Sequence, residues 1–225
     1  MSRRRAQNTA AKRPCMTTDV PPTLGLVLAG GQARRMGGGD KALLRIGGTV
    51  ILERVLARLR PYCNEIVLNA NGDPGRFAAF GLPVIADSVP DFAGPLAGIL
   101  AGLDWAAANA PGVVWMASVP GDCPFVPKDL VHGPHVARRE AGLTLACARS
   151  GGWRHPVVGL WAVDLRDDLR RALVQEDLHK IEVWTGRYGV AIADWPARPV
   201  DPFFNVNTPA DAAEAESIAA QYKEI

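Results

Sequence analysis

The chain has 225 residues, 48% of them hydrophobic, with 25 Lys and Arg against 23 Asp and Glu and a formal net charge of +2. That length supports one sizeable core, and the near-balanced charge excludes a global basic field for nucleic acid, so functional electrostatics must be local. No apolar run approaches the ~18 residues of a membrane span, and the four cysteines, Cys15, Cys63, Cys123 and Cys147, form no C-x-x-C pair, which favours free thiols over a disulfide framework or zinc site.

Residues 1–22 begin with positive charge but carry no apolar segment behind it, which argues against a secretory signal and for a disordered tail. Residues 23–225 read as a single domain, expected in the cytoplasm. The run LGLVLA (24–29) has the character of a central parallel strand buried on both faces and stopped by glycines. In TVILERVLARLR (49–60), Val50, Leu52, Val55, Leu56 and Leu59 recur at helical spacing, with Thr49 as the expected N-cap and Pro61 as a stop. Strands follow over 65–70 and 82–87, a helix over 94–109 with Pro95 at its first position, and a fourth buried strand over 112–119. Beyond these, 143–149 and 155–161 are strand candidates, 164–175 and 178–188 helical, 189–194 a strand, and 208–221 a helix with Thr208 at N-cap and Pro209 at N1. Alternating strands and helices joined by right-handed crossovers imply a three-layer αβα sandwich around a mostly parallel sheet.

Between the first strand and the first helix lies LAGGQARRMGGGDKALL (28–44), rich in glycine and cationic. A crevice forms where a parallel strand ends, and glycines let the backbone approach an anion without an intervening Cβ. A P-loop requires G-x-x-x-x-G-K-[S/T], whereas Lys41 follows Asp40 and precedes Ala42. The dinucleotide fingerprint fails as well, because no helix opens until after Thr49. A solvated cationic turn and an anion cradle remain the two readings of the residues alone. Asp122 and the ends of the second and third strands, Asn69 and Asp87, fall at the same sheet edge. Asp122 there is either a cation ligand or the organiser of a G-D-x-P turn. Asn205 and Asn207 alternate in FNVNTP and so share one face of an extended segment, although Asn207 also stands where it can cap the last helix.

The pattern L-A-G-G-x-x-R-R-M-G-G-x-D-K, followed in order by LNAN (68–71), IADSVPDFAGPLAGI (85–99), PGDCPFVP (120–127), RHPVVGLW (154–161) and FNVNTPADAAEAE (204–216), resembles the molybdenum cofactor guanylyltransferase family of nucleotidyltransferases. The resemblance runs from Leu24 to about the last helix. It implies a Rossmann-like nucleotidyltransferase fold and transfer of GMP from GTP to the terminal phosphate of molybdenum-loaded molybdopterin, with Mg²⁺ as cofactor. It further implies backbone contacts to the nucleotide from Leu28, Ala29, Gly30 and Gly31, phosphate contacts from Arg35 and Lys41, and nucleotide binding by Asn69 and Asp87. Asp122 is the implied metal ligand, and Asn205 and Asn207 face the pterin side. Arg154 and His155 receive no defined role, and Trp153, Trp161, Trp184 and Trp195 are read mainly as packing residues. The resemblance implies hand-over of a labile product to molybdoenzymes or cofactor-assembly proteins. A monomer is expected, with no nucleic-acid or membrane partner. The alternatives are a cytidylyltransferase on molybdopterin or another small phosphorylated acceptor, and a nucleotide-binding protein without turnover.

Overall fold

A computed structural model describes residues 20–30, 40–89 and 94–222. The tail expectation over 1–22 therefore falls almost wholly outside the described residues. The chain enters the fold at strand β1 (Thr23–Leu28). After a 3₁₀ turn at Lys41–Leu43 it forms a short hairpin, β2 (Arg45–Ile46) and β3 (Thr49–Val50), that leads into α1 (Ile51–Leu59). The hairpin was not expected, and it moves the helix cap. Thr49 sits in β3, Val50 is the N-cap residue, and its N–H donates to the Glu53 carboxylate at 3.2 Å.

Strand β4 (Glu65–Asn69) and a 3₁₀ stretch, Pro74–Phe80, precede β5 (Val84–Ile85), which is much shorter than the apolar run around it. Helix α2 (Pro95–Asn109) matches its expected span and is buried almost all round. The strand expected at 112–119 runs instead as β6 (Trp115–Pro120). Helix α3 (His132–Ala141) was not foreseen, because Gly133 and Pro134 stand in its first turn and few apolar residues repeat at helical spacing. Gly133 is required by packing, since a Cβ there would lie 2.8 Å from the Trp195 ring. The later elements are β7 (Ala146–Ser150), β8 (Trp153–Ala162), α4 (Arg166–Gln175), α5 (Ile181–Thr185), β9 (Ala191–Trp195) and α6 (Pro209–Gln221). Helix α5 covers only the centre of the expected 178–188.

Seven strands form one sheet in the order β5-β4-β1-β6-β8-β7-β9. All neighbours are parallel except β8, which runs antiparallel to both β6 and β7. Period-2 alternation sends Leu24 and Leu26 of β1 to one face, with α2, α4 and α5, and Val27 to the other, with α1 and α6. The three-layer sandwich is thus a sheet with an apolar cluster on each side. Helix α2 lies directly on β1 and β6, because a Cβ at Gly102 would sit 2.6 Å from Met116 Sδ. No helix among the described residues is long and apolar enough to cross a membrane.

Candidate active site

Strands β1, β4 and β6 end level, because the register pairs Leu28 with Asn69 on one side and with Pro120 on the other. Two bonds extend the sheet by a residue: Ala29 N–H donates to Asn69 O at 2.9 Å, and Gly121 N–H to Leu28 O at 2.9 Å. Gly30 is exposed on this edge. Gly31 and Arg35, like Arg34, lie outside the described residues.

The 3₁₀ turn after the glycine-rich loop packs against the turn after β6, with a Cβ position at Gly121 only 3.1 Å from Ala42 Cβ. That contact brings Lys41 over Asp122. Lys41 Nζ lies 3.5 Å from Asp122 Oδ2 and donates to Asn207 Oδ1. Both charged side chains are mostly buried, 17% and 19% exposed, so the pair is weakly screened. Burial pushes the Asp122 carboxyl above the usual carboxylate range, and the Lys41 ammonium opposes that shift. The other oxygen, Asp122 Oδ1, is buried and has no hydrogen-bond partner among the described residues.

The segment before α6 is tied to the same turn, since Val206 N–H donates to Asp122 O at 3.0 Å. Its two flanking asparagines both reach the turn, Asn207 at Lys41 and Asn205 through its Oδ1, which accepts the Cys123 thiol at 2.8 Å. Asn207 does not cap α6 with its side chain. Thr208 does, accepting the Asp211 N–H, while Asp211 accepts the N–H groups of Asn207 and Thr208 at 2.8 Å. Cys123 is fully buried, and burial together with the Asp122 and Asp201 carboxylates pushes its thiol well up, which makes it a packing and hydrogen-bonding group rather than a nucleophile.

On the far side of β1, Asn69 Nδ2 donates to Asp87 Oδ1 at 2.9 Å. Asn71 Nδ2 donates to Asp87 Oδ2 at 2.7 Å, and Asn71 Oδ1 accepts the Asp87 N–H at 2.9 Å. Asn71 was not singled out from the sequence, although its place two residues after Asn69 was a usable signal. His155 bonds Ser150 Oγ at 2.7 Å and lies against the Phe203 ring at 4.7 Å, and Ser150 donates to Asp201 at 2.8 Å, so this cluster anchors the approach to Asn205. Burial holds the His155 imidazole below its ordinary pKa. Arg154 lines a separate cavity of about 230 Å³ beside Cys147 and Glu182. Trp161 and Trp184 pack in the core and Trp195 against Phe203, whereas Trp153 is 78% exposed.

Chemically, this edge offers an ammonium paired with a half-satisfied carboxylate, two amides beside them, and an amide–carboxylate network across β1. Among the described residues no cluster of three or more His, Cys, Asp or Glu is placed to hold a metal. Asp122, whose buried Oδ1 has no hydrogen-bond partner among the described residues, is the residue that would hold a cation here.

The family described as MobA-like NTP transferase domain matches residues 25–188. The chain is 62% identical over 205 residues to a Nitrobacter hamburgensis protein named molybdenum cofactor guanylyltransferase, covering 91% of this chain and 98% of the relative. It is 58% identical over 201 residues to a protein of the same name from Rhodopseudomonas palustris, covering 89% and 96%. Among solved structures, molybdopterin-guanine dinucleotide biosynthesis protein A of Archaeoglobus fulgidus superposes with a TM-score of 0.67 at 24% identity, covering 88% of this chain and 99% of that one.

Proposed function

Because the chain belongs to the MobA-like NTP transferase family, we propose that it transfers GMP from GTP to the terminal phosphate of molybdenum-loaded molybdopterin, releasing pyrophosphate. The observation that carries this reading is identity of 58–62% over nearly the full length of relatives named for guanylyl transfer, which favours GTP over CTP as donor.

The residues divide by position. Gly30 presents exposed backbone to the nucleotide without a side chain in the way, and Leu28, Ala29 and Gly31 are assigned the same backbone role. Asn69 and Asp87 take the base and ribose end. Each Asp87 oxygen receives one amide, which fixes the carboxylate and leaves lone pairs for ligand donors. Lys41, joined by Arg35, holds the triphosphate and offsets charge on the departing pyrophosphate. Asn205 and Asn207 orient the acceptor phosphate, so that attack is set by alignment rather than by a covalent intermediate on the protein.

A divalent cation suits Asp122, whose buried Oδ1 has no hydrogen-bond partner among the described residues. Asp122 is the residue that would hold Mg²⁺, and the ion would supply positive charge to offset that of the phosphates.

The test is pyrophosphate release from GTP, CTP and ATP with Mg²⁺ and molybdenum-loaded molybdopterin. Turnover with GTP is expected. Lys41→Ala and Asp122→Ala should each lower kcat by about 10²-fold or more. Turnover with CTP in place of GTP would move the chain to cytidylyl transfer, and full activity in either variant would overturn the residue roles.

A further inference from the structure

Arg76 stands in the 3₁₀ stretch after β4, outside the set of residues just assigned. Its guanidinium is surrounded by protein acceptors. Nε pairs with Asp40 Oδ2 at 2.8 Å as an ion pair without hydrogen-bond alignment, Nη2 donates to Asn71 O at 2.7 Å, and Nη1 donates to Asp73 O at 2.9 Å. The guanidinium carbon sits 4.9 Å from the centroid of the buried Phe77 ring, which supports it from one side. Gly72, at φ +86°, keeps the backbone clear of it, since a Cβ there would lie 3.2 Å from Nη1.

Asp40 is the residue before Lys41 and the N-cap position of the 3₁₀ turn, yet its side chain makes no capping bond. Its carboxylate goes to Arg76 instead. The Arg76 and Asp40 side chains are 26% and 16% exposed, so the pair has more effect than an open surface ion pair. At the other end of the same guanidinium is the backbone of Asn71, the residue that grips Asp87.

We propose that Arg76 is a positioning residue, a strut that fixes the Asp40–Lys41 turn to the wall carrying Asn71 and Asp87. It sets the distance between the cation for the phosphates and the groups for the base and ribose. Its guanidinium is held by the Asn71 and Asp73 carbonyls and the Asp40 charge, so it acts through Lys41 rather than on substrate. Arginine suits the task because a rigid fork can bond a carboxylate and two carbonyls at once, whereas a lysine ammonium cannot reproduce that planar arrangement. The inference rests on Lys41 being the triphosphate cation.

The experiment compares Arg76→Ala, Arg76→Lys, Asp40→Ala and the Arg76→Ala/Asp40→Ala double variant with the unaltered chain. One readout is amide exchange at Leu43 and Leu44, whose N–H groups donate to Asp40 O and Lys41 O. Exchange there should quicken by about tenfold in Arg76→Ala while interior amides of α1 and β4 are unchanged. The other readout is GMP transfer. kcat/KM for GTP should fall about tenfold in each single alanine variant, with little further loss in the double, and Arg76→Lys should fall between. Additive losses, activity within about twofold of the unaltered chain in Arg76→Ala, or faster exchange spread evenly over the molecule would each overturn the strut. Absence of GTP turnover in the unaltered chain would instead overturn the guanylyl reading, and the exchange measurement would still decide the strut.

Discussion

Gly98 of α2 carries no side chain because none fits: a Cβ there would sit 2.3 Å from Asn69 Oδ1 and 2.7 Å from Leu28 Cδ2. Leu28 and Asn69 both end strands at the candidate site, so this glycine sets how closely the helix presses on that edge. Gly98→Ala should push the Asn69 amide off Asp87, raise KM for GTP and lower stability by about 1–3 kcal/mol, measured by urea unfolding beside the kinetics. A change confined to stability would show that the Asn69 amide holds its place. At this scale the sequence was informative where chemistry coincides with strand ends. Asn69, Asp87 and Asp122 follow from apolar runs that stop at polar residues. Arg76 could not be found that way, because its role lies in bonds to Asp40 and to the carbonyls of Asn71 and Asp73, and no spacing pattern encodes which carbonyls a side chain reaches.

Helix α6 is the element whose start was most legible. T-P-A-D gives a capping residue, a first-turn proline and a carboxylate at the third position, and the structure uses all three. The Asp211 carboxyl is held below its ordinary range, first by the N–H of Asn207 and then by that of Thr208. Cap and site are therefore joined at Asn207. Thr208→Ala should cost about 1 kcal/mol in denaturant unfolding with kcat preserved, whereas Asp211→Ala should lower kcat because it releases the backbone of Asn207. Equal effects of the two variants on kcat would refute that link. The β2–β3 hairpin was harder to read. Its turn, Gly47-Gly48 at φ +59° and +77°, is a good hairpin signal, but two-residue strands leave no alternation to reinforce it. The pairing of β7 with β8 breaks register between Cys147 and Ala148, an irregularity that no alternation of apolar residues announces.

Across the whole molecule, buried titratable groups make stability depend on pH on both sides of neutrality, His135 on the acid side and Cys63 on the alkaline side among them. His135, 3% exposed and bonded to Thr23 Oγ1 at 2.9 Å, has its pKa pushed down to about 3, mainly by burial and then by Arg138. The unfolded chain binds a proton near pH 6.5 that the folded chain refuses, so this stability is present above that pH and is lost as pH falls toward 3. Burial pushes the Cys63 thiol up to about 12, so above its ordinary value of 9.0 the unfolded chain loses a proton that the folded chain keeps, and stability falls as pH rises. Each of these two groups should add about 1.4 kcal/mol per pH unit to its limb within its window. Urea titrations of the unaltered chain, His135→Gln and Cys63→Ala should show the acid and the alkaline limb each become shallower by that amount, and a variant that leaves its own limb unchanged would refute the assignment. The layered α/β architecture was legible from alternating apolar runs. The reversal at β8 was not, because hydrophobicity does not record strand direction. That reversal, followed by β9 and the return of residues 201–207 to the centre, has a consequence in time. Lys41 meets Asn207 across 166 positions of chain. During synthesis the cradle emerges early and stays without its partner until almost the last helix has left the ribosome. A nascent chain can thus form much of the sheet while still unable to close the site, because Asn207 follows every strand of that sheet in the chain.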